Sequence, residues 1–349
     1  MTAITTPEKT KRTRLIVGLI VLAILIAFPF IVPRPQFWVV SIGIRSLWLG
    51  IVALSLTWLA KYSGMVSLGQ LTFWGVSAYT VAVMSTSNDV PYLVSIPTGL
   101  LLGTLVGFIV AVICVRTQGI YLLMLTLAVS QLGYFLALNA SGITRGFQGI
   151  GNIQRPELFG MSLGNRNVFY FLALAIAIGL YLLCRYIART PFGLALEGIR
   201  DSPERMAALG YNVYWYRVGA FTFSAFLASV SGVLALFYQG RITPGTVDLM
   251  RSVDILIVSV LGGLNSIVGA FVGATSLTLI QNFSQESWVP FGRLTLTGLI
   301  FVAVLLFMPG GLVSLFEKIR DLILRQFGRK GSGDGTPSPT DSPLDVASG

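Results

Sequence analysis

Eight runs in this chain are apolar for long enough to cross a lipid bilayer, and they leave little room for any other kind of fold. They cover 15–32, 37–60, 64–84, 91–115, 119–138, 168–187, 218–238 and 294–308. A hydrocarbon core of about 30 Å takes roughly 20 apolar residues in helical form. Without water to satisfy peptide groups, continuous runs of this kind must be helices. Only 11% of the residues are charged and 54% are hydrophobic, whereas soluble domains carry about 25% charged residues. The expected class is all-α, a polytopic transmembrane helical bundle.

The run 253–283, from Val253 to Phe283, is too long to be one straight span. At 1.5 Å per residue it would reach about 46 Å, well past the hydrocarbon core. Gly262-Gly263 and Asn265-Ser266 sit at its middle, so two shorter helices with a bend between them are expected, a broken or re-entrant pair. Charge supports this. Lys9, Lys11, Arg12 and Arg14 precede the first run, and Lys318, Arg320, Arg325, Arg329 and Lys330 follow the last. Excess Lys and Arg mark the cytoplasmic side, so both termini are expected inside. That requires an even number of crossings, about 10 when 253–283 counts twice. Lys61, Arg116 and the 188–216 loop then fall inside, and a large 139–167 loop falls outside. The expected layout is a cytoplasmic segment 1–14, a membrane domain 15–312, and a tail 313–349 that is basic and then disordered. The first run is read as a retained span, because no small-x-small cleavage site follows it before Pro33-Arg34-Pro35.

Several kinds of chemistry are excluded. The chain has no histidine, which removes the commonest general base and metal ligand. Cys114 and Cys184 lie inside apolar runs and are read as packing residues. No metal and no cofactor is expected. There is no Gly-x-x-x-x-Gly-Lys-Ser/Thr loop to cradle nucleotide phosphates. The glycine-rich stretch 142–151 follows a span and is not read as a nucleotide site. No series of acidic residues crosses the membrane, as a proton-driven carrier would usually need. The chain is therefore not expected to be an enzyme. If it drives uphill transport, the motor is on another polypeptide.

A compact polar island, 190–213, interrupts the greasy sequence. Thr190 before Pro191 and Ser202 before Pro203 read as caps of two short helices. Glu204 in the first turn suits the helix dipole, and Gly210 is placed to stop the second helix. A short helix held at a membrane surface reads as an element for another protein to grip.

Small residues recur at helical spacing: Gly99, Gly103, Gly107 and Ala111, then Ala220, Ser224, Ala228 and Gly232, then Gly269 and Gly273. Such stripes let helix backbones approach closely in lipid. Polar residues within the runs are few. They either bond between helices or line a polar path, and Gln70, Ser67, Tyr121, Gln131, Asn265 and Ser266 are the path candidates. Arg45 and Asp254 are the charges nearest the spans, with Asp254 placed to be solvated or to pair with Arg251 or Arg241.

Several motifs resemble one family. They are Ser63-Gly64-Met65-Val66-Ser67-Leu68-Gly69-Gln70, Gly119-Ile120-Tyr121-Leu122-Leu123-Met124-Leu125-Thr126-Leu127-Ala128, Glu204-Arg205-Met206-Ala207-Ala208-Leu209-Gly210, Leu261-Gly262-Gly263-Leu264-Asn265-Ser266 and Pro309-Gly310-Gly311-Leu312. Together they resemble the permease subunits of ABC importers for branched-chain and other neutral amino acids, in the LivM-like branch. The resemblance implies a permease of the bacterial cytoplasmic membrane. Its coupling segment would dock on an ABC ATPase through Glu204, Ala207, Ala208 and Gly210, with Arg200 and Asp201 beside them. The implied partners are the ATPase, a second permease of LivH-like type, an external solute-binding protein and membrane lipid, with no nucleic acid. Relatives commonly carry a Thr-Gly-Gly turn where this chain has Thr144-Arg145-Gly146. Urea or short amides therefore stay as an alternative substrate, and a passive channel or secondary carrier as an alternative class.

Overall fold

The computed structural model describes residues 36–87, 90–153, 155, 157–158, 161–162 and 165–283, with isolated positions at 25–27, 29, 298–299, 302 and 311–312. The expected segment 1–14, most of the spans 15–32 and 294–308, and the tail 313–349 lie outside the described residues.

Among the described residues the regular elements are helices, apart from one two-residue strand pair, Glu157–Leu158 with Met161–Ser162, and a bridge between Ile150 and Ile242. A π-helical stretch, Gln36–Ile44, leads into α1, Arg45–Ser63. There follow α2, Gln70–Ser87, α3, Tyr92–Cys114, and α4, Ile120–Asn139. After the 139–167 loop come α5, Arg166–Arg189, two short helices α6, Pro191–Asp201, and α7, Pro203–Ala208, then α8, Val213–Gln239. The last are α9, Leu249–Gly262, and α10, Ile267–Phe283. Among the described residues five helices are long and apolar enough to cross a membrane, or six if the bent pair is taken as one span.

The expected span 64–84 is corrected. Gly64, at φ +70°, ends α1, and the chain stays non-helical until α2 starts at Gln70. Irregular backbone at membrane depth is tolerated where protein satisfies its peptide groups. Leu68 N donates to Thr126 Oγ1 at 3.1 Å, and Gly69 N to Ser67 Oγ at 3.2 Å.

The bent pair forms as expected, with its first helix starting at Leu249. The chain bends by 117° between the two legs, around Gly263 at φ +102°. They also pack closely. A Cβ on Gly262 would strike the Gly269 carbonyl, and one on Gly273 would strike the Val258 carbonyl.

The small-residue stripes are the packing seams. The buried residues of α3 are Ser95, Gly99, Gly103, Gly107, Ala111 and Cys114, one every fourth position but the last. Added Cβ atoms on Gly103 and Gly107 would meet Ser229 and Ala225 of α8. The opposite face of α3 leaves Leu93, Leu101, Ile109 and Ile113 exposed, as a lipid-facing side requires. At the centre Trp58, Phe73 and Phe221 are fully buried, with Phe73 edge-on to Phe221 at 5.9 Å.

Candidate functional site

The polar island folds into α6 and α7 at one end of the bundle. Neither expected hydroxyl cap forms. The Thr190 hydroxyl donates back to the Ile187 carbonyl at 2.6 Å, a competing local bond open to any Ser or Thr. The side-chain cap nearby is instead Asn212 on α8. Gly210 does terminate α7. At φ +89° it lets Gly210 N reach the Ala207 carbonyl and Tyr211 N reach the Met206 carbonyl, the paired bonds of a Schellman closure.

α6 is anchored and α7 is displayed. Gly193, Ala195, Leu196 and Ile199 bury one face of α6. Arg200 donates to the Lys61 carbonyl at the end of α1 and pairs with Asp201 at 2.9 Å. Its aliphatic stem lies against Gly64. α7 buries no residue. Glu204, Ala207, Ala208 and Gly210 are exposed, next to Leu209 at 68% and Trp215 at 54% exposure. The six expected coupling residues thus divide into a pair that pins the element and four that form an open face.

The expected path residues fall in different places. Gln70 is 1% exposed and sits in a closed knot. Its Nε2 donates to Ser224 Oγ at 3.0 Å, Ser55 Oγ donates to its Oε1 at 3.3 Å, and Ser224 Oγ donates to the Ser55 carbonyl at 2.7 Å. The knot joins α1, α2 and α8, and Ser67 is buried close by in the irregular stretch. Gln131 is half-buried on α4. Tyr121 is 75% exposed at the start of α4 and joins none of these groups. Asn265 is exposed and Ser266 half-buried at the bend of the pair. Ser266 lines a cavity of about 370 Å³ with Lys61, Arg185, Arg189 and Glu197, so the bend reaches the end that carries α6 and α7.

A second cavity, of about 220 Å³, lies at the far end, some 27 Å along α1 at 1.5 Å per residue. Arg45 and Trp48 of α1, Trp74 of α2, Tyr238 of α8, Asp254 of α9 and Gln281 of α10 line it. Arg45 Nη2 donates to Gln281 Oε1 at 2.6 Å. Arg251 Nη1 stands 3.8 Å from Asp254 Oδ2, the pairing considered from sequence. Both legs of the bent pair therefore start and finish at this end. The sequence singled out Arg45 and Asp254 individually. It gave no sign that they share a cavity.

The motifs that carried the resemblance meet in space. Gly64 touches Arg200, the 67–69 backbone lies against Thr126, and Gly311 lies against Gly263. A family model described as branched-chain amino acid transport system / permease component matches residues 39–309. The chain belongs to this permease family. The high-affinity branched-chain amino acid transport system permease protein LivM of Escherichia coli K12 is 28% identical to it, over 87% of this chain and 76% of the relative. LivM of Salmonella typhimurium LT2 is 27% identical, over 84% and 73%. The ribose import permease protein RbsC of Haemophilus influenzae is 24% identical, over 66% and 72%. No solved structure matches. The permease is an integral membrane protein and a transport component, not itself an enzyme.

Proposed function

We propose that this permease forms part of the translocation path of an ABC importer for branched-chain amino acids, and that a separate ATPase drives it by gripping α7. The observation that carries this reading is the contrast between α6 and α7. α6 is bonded to the end of α1 through Arg200, whereas α7 presents Glu204, Ala207 and Ala208 bare to solvent beside exposed Leu209 and Trp215. A short helix left unpacked in this way is open for a partner to grip. The two alanines make a flat face for close approach, and motion imposed on α7 would pass through α6 to α1.

The substrate class follows from the relatives' LivM names and from the family description. Membership in the same broad group as a ribose permease means that the fold alone does not set the solute, and no observation favours urea or a passive channel. The importer would include the ATPase, a second permease and an external binding protein. The topology that suits this assembly has α6 and α7 in the cytosol, both termini inside and an even number of crossings, in keeping with where the lysines fall.

Replacing Glu204 with lysine tests the docking. The Glu204→Lys permease should insert in the membrane but fail to co-purify with its ATPase. Normal co-purification and normal uptake would show that α7 is not the docking element.

A further inference from the structure

We infer that the far-end cavity is a transient binding site for a single zwitterionic, apolar α-amino acid. Arg45 would take the carboxylate and Asp254 the ammonium. This deepens the proposed transport reading and rests on it.

Size is the first argument. Clefts for drug-sized ligands measure roughly 300–1,000 Å³, and this cavity, at about 220 Å³, suits something smaller. Chemistry is the second. An apolar amino acid presents one carboxylate, one ammonium and one greasy side chain, and the cavity offers a partner for each. Arg45 supplies a planar fork of N–H donors matched to a carboxylate. Gln281 Oε1 holds that guanidinium in place, so little side-chain freedom remains to be lost when a carboxylate arrives. Asp254 supplies an acceptor-only carboxylate for an ammonium, shared with Arg251, which also lines the cavity and stands 3.8 Å from Asp254 Oδ2. Leu49, Leu71, Ile255 and Leu277 line the same space at 2–7% exposure and form the wall for an aliphatic side chain.

Position is the third argument. The cavity draws on α1, α2, α8, α9 and α10, so its shape depends on how those helices sit together. Leu71 and Trp74 come from the first turns of α2, next to the Gln70 knot. Trp74 is 2% exposed and its Nε1 has no hydrogen-bond partner among the described residues. An indole donor stranded in this way at the cavity wall is costly, and a rearrangement that opens the cavity toward α2 would give it a partner. A neutral solute such as urea would have no use for separated opposite charges.

The test uses the assembled transporter with Cys114 and Cys184 replaced by alanine and a cysteine introduced by Thr246→Cys. Thr246 lines the cavity and is half-buried. Leucine should slow labelling of this cysteine by a small thiol reagent about tenfold, the scale of one good charged contact. Leucinamide, which lacks the carboxylate, and 4-methylpentanoate, which lacks the ammonium, should each slow it far less. Arg45→Gln should make leucine no better than leucinamide. Asp254→Asn should make it no better than 4-methylpentanoate. Loss of packing alone would not produce these two matched losses of selectivity. Equal protection by all three compounds, or protection by urea or ribose in place of leucine, overturns the site. ATP-driven leucine uptake by the unmodified transporter in liposomes is measured in parallel. Uptake without protection overturns the site and leaves the transport reading standing. Absence of uptake for every branched-chain amino acid removes the transport reading itself.

Discussion

The side-chain amide of Gln70 donates to the hydroxyl of Ser224 at 3.0 Å, across an interface of two helices 154 positions apart in sequence. The same serine donates to the Ser55 carbonyl at 2.7 Å, so one buried amide and two hydroxyls fasten α1, α2 and α8. α2 begins at Gln70, at the level of the middle of α1. The knot therefore holds the point where an irregular stretch turns into helix. Inter-helix hydrogen bonds in membrane proteins average about 0.6 kcal/mol and reach about 1.7 kcal/mol. Gln70→Leu should cost about 1 kcal/mol, and combining it with Ser224→Ala should cost less than the sum. Thermal unfolding in detergent of the four members of that cycle measures the coupling. Strict additivity would mean that the two residues do not act together.

The α3 seam gives a sharper expectation. Gly107 is where α3 comes closest to Ala225, and a side chain there has no room. Overpacking a tight core costs about 1–3 kcal/mol, and rigid helix backbones on both sides leave little relief. Gly107→Val should sharply lower the yield of folded permease in membranes. Leu101→Val, on the exposed face of the same helix, should not. Comparable yields of the two variants would refute the seam.

Much of this architecture was legible because lipid ties hydropathy to helix. The helical class, the three small-residue stripes and the existence of a break near Gly263 follow from apolarity, residue size and length. The interruption at 64–69 did not follow, because that stretch reads as greasily as a helix and its peptide partner, Thr126, lies 58 residues away. The caps at Thr190 and Ser202 were misread for a local reason. The residue types were right, but the Thr190 hydroxyl found the Ile187 carbonyl first. Tyr121 shows that polarity does not give direction, since an aromatic at a helix end can face outward as readily as inward. The Arg45–Gln281 contact spans 236 positions, and nothing local to either residue announces it.

Closure of α7 depends on Gly210. Its φ of +89° is a conformation that costs an L-residue roughly 1–2 kcal/mol, and a branched side chain more. Gly210→Val should leave the membrane helices intact while shifting Leu209 and Tyr211 out of place. The expected result is normal membrane insertion with reduced ATPase stimulation by the loaded binding protein. Vanadate-sensitive hydrolysis in liposomes provides the measurement, and stimulation at the unsubstituted level would show that the turn does not matter to coupling.

Arg145 occupies a position shaped for glycine. It closes the single turn Ser141–Thr144 at φ +59° and ψ +21°, with its N–H bonded to the Ser141 carbonyl at 3.1 Å. The Thr144 hydroxyl fixes the turn from the other side by donating to the Ala137 and Ala140 carbonyls and accepting from Gly146 N. Left-handed backbone costs a non-glycine residue about 1–2 kcal/mol. Glycine would remove that strain and give back part of the gain through its looser unfolded chain, about 0.5–1 kcal/mol. Arg145→Gly should therefore raise stability by a net amount of about 0.5–1 kcal/mol, visible as a higher midpoint of thermal unfolding in detergent. Arg145→Ala keeps the L-configuration and the strain, so it should give no such gain. A rise of equal size in both variants would place the effect in the lost guanidinium and not in the backbone.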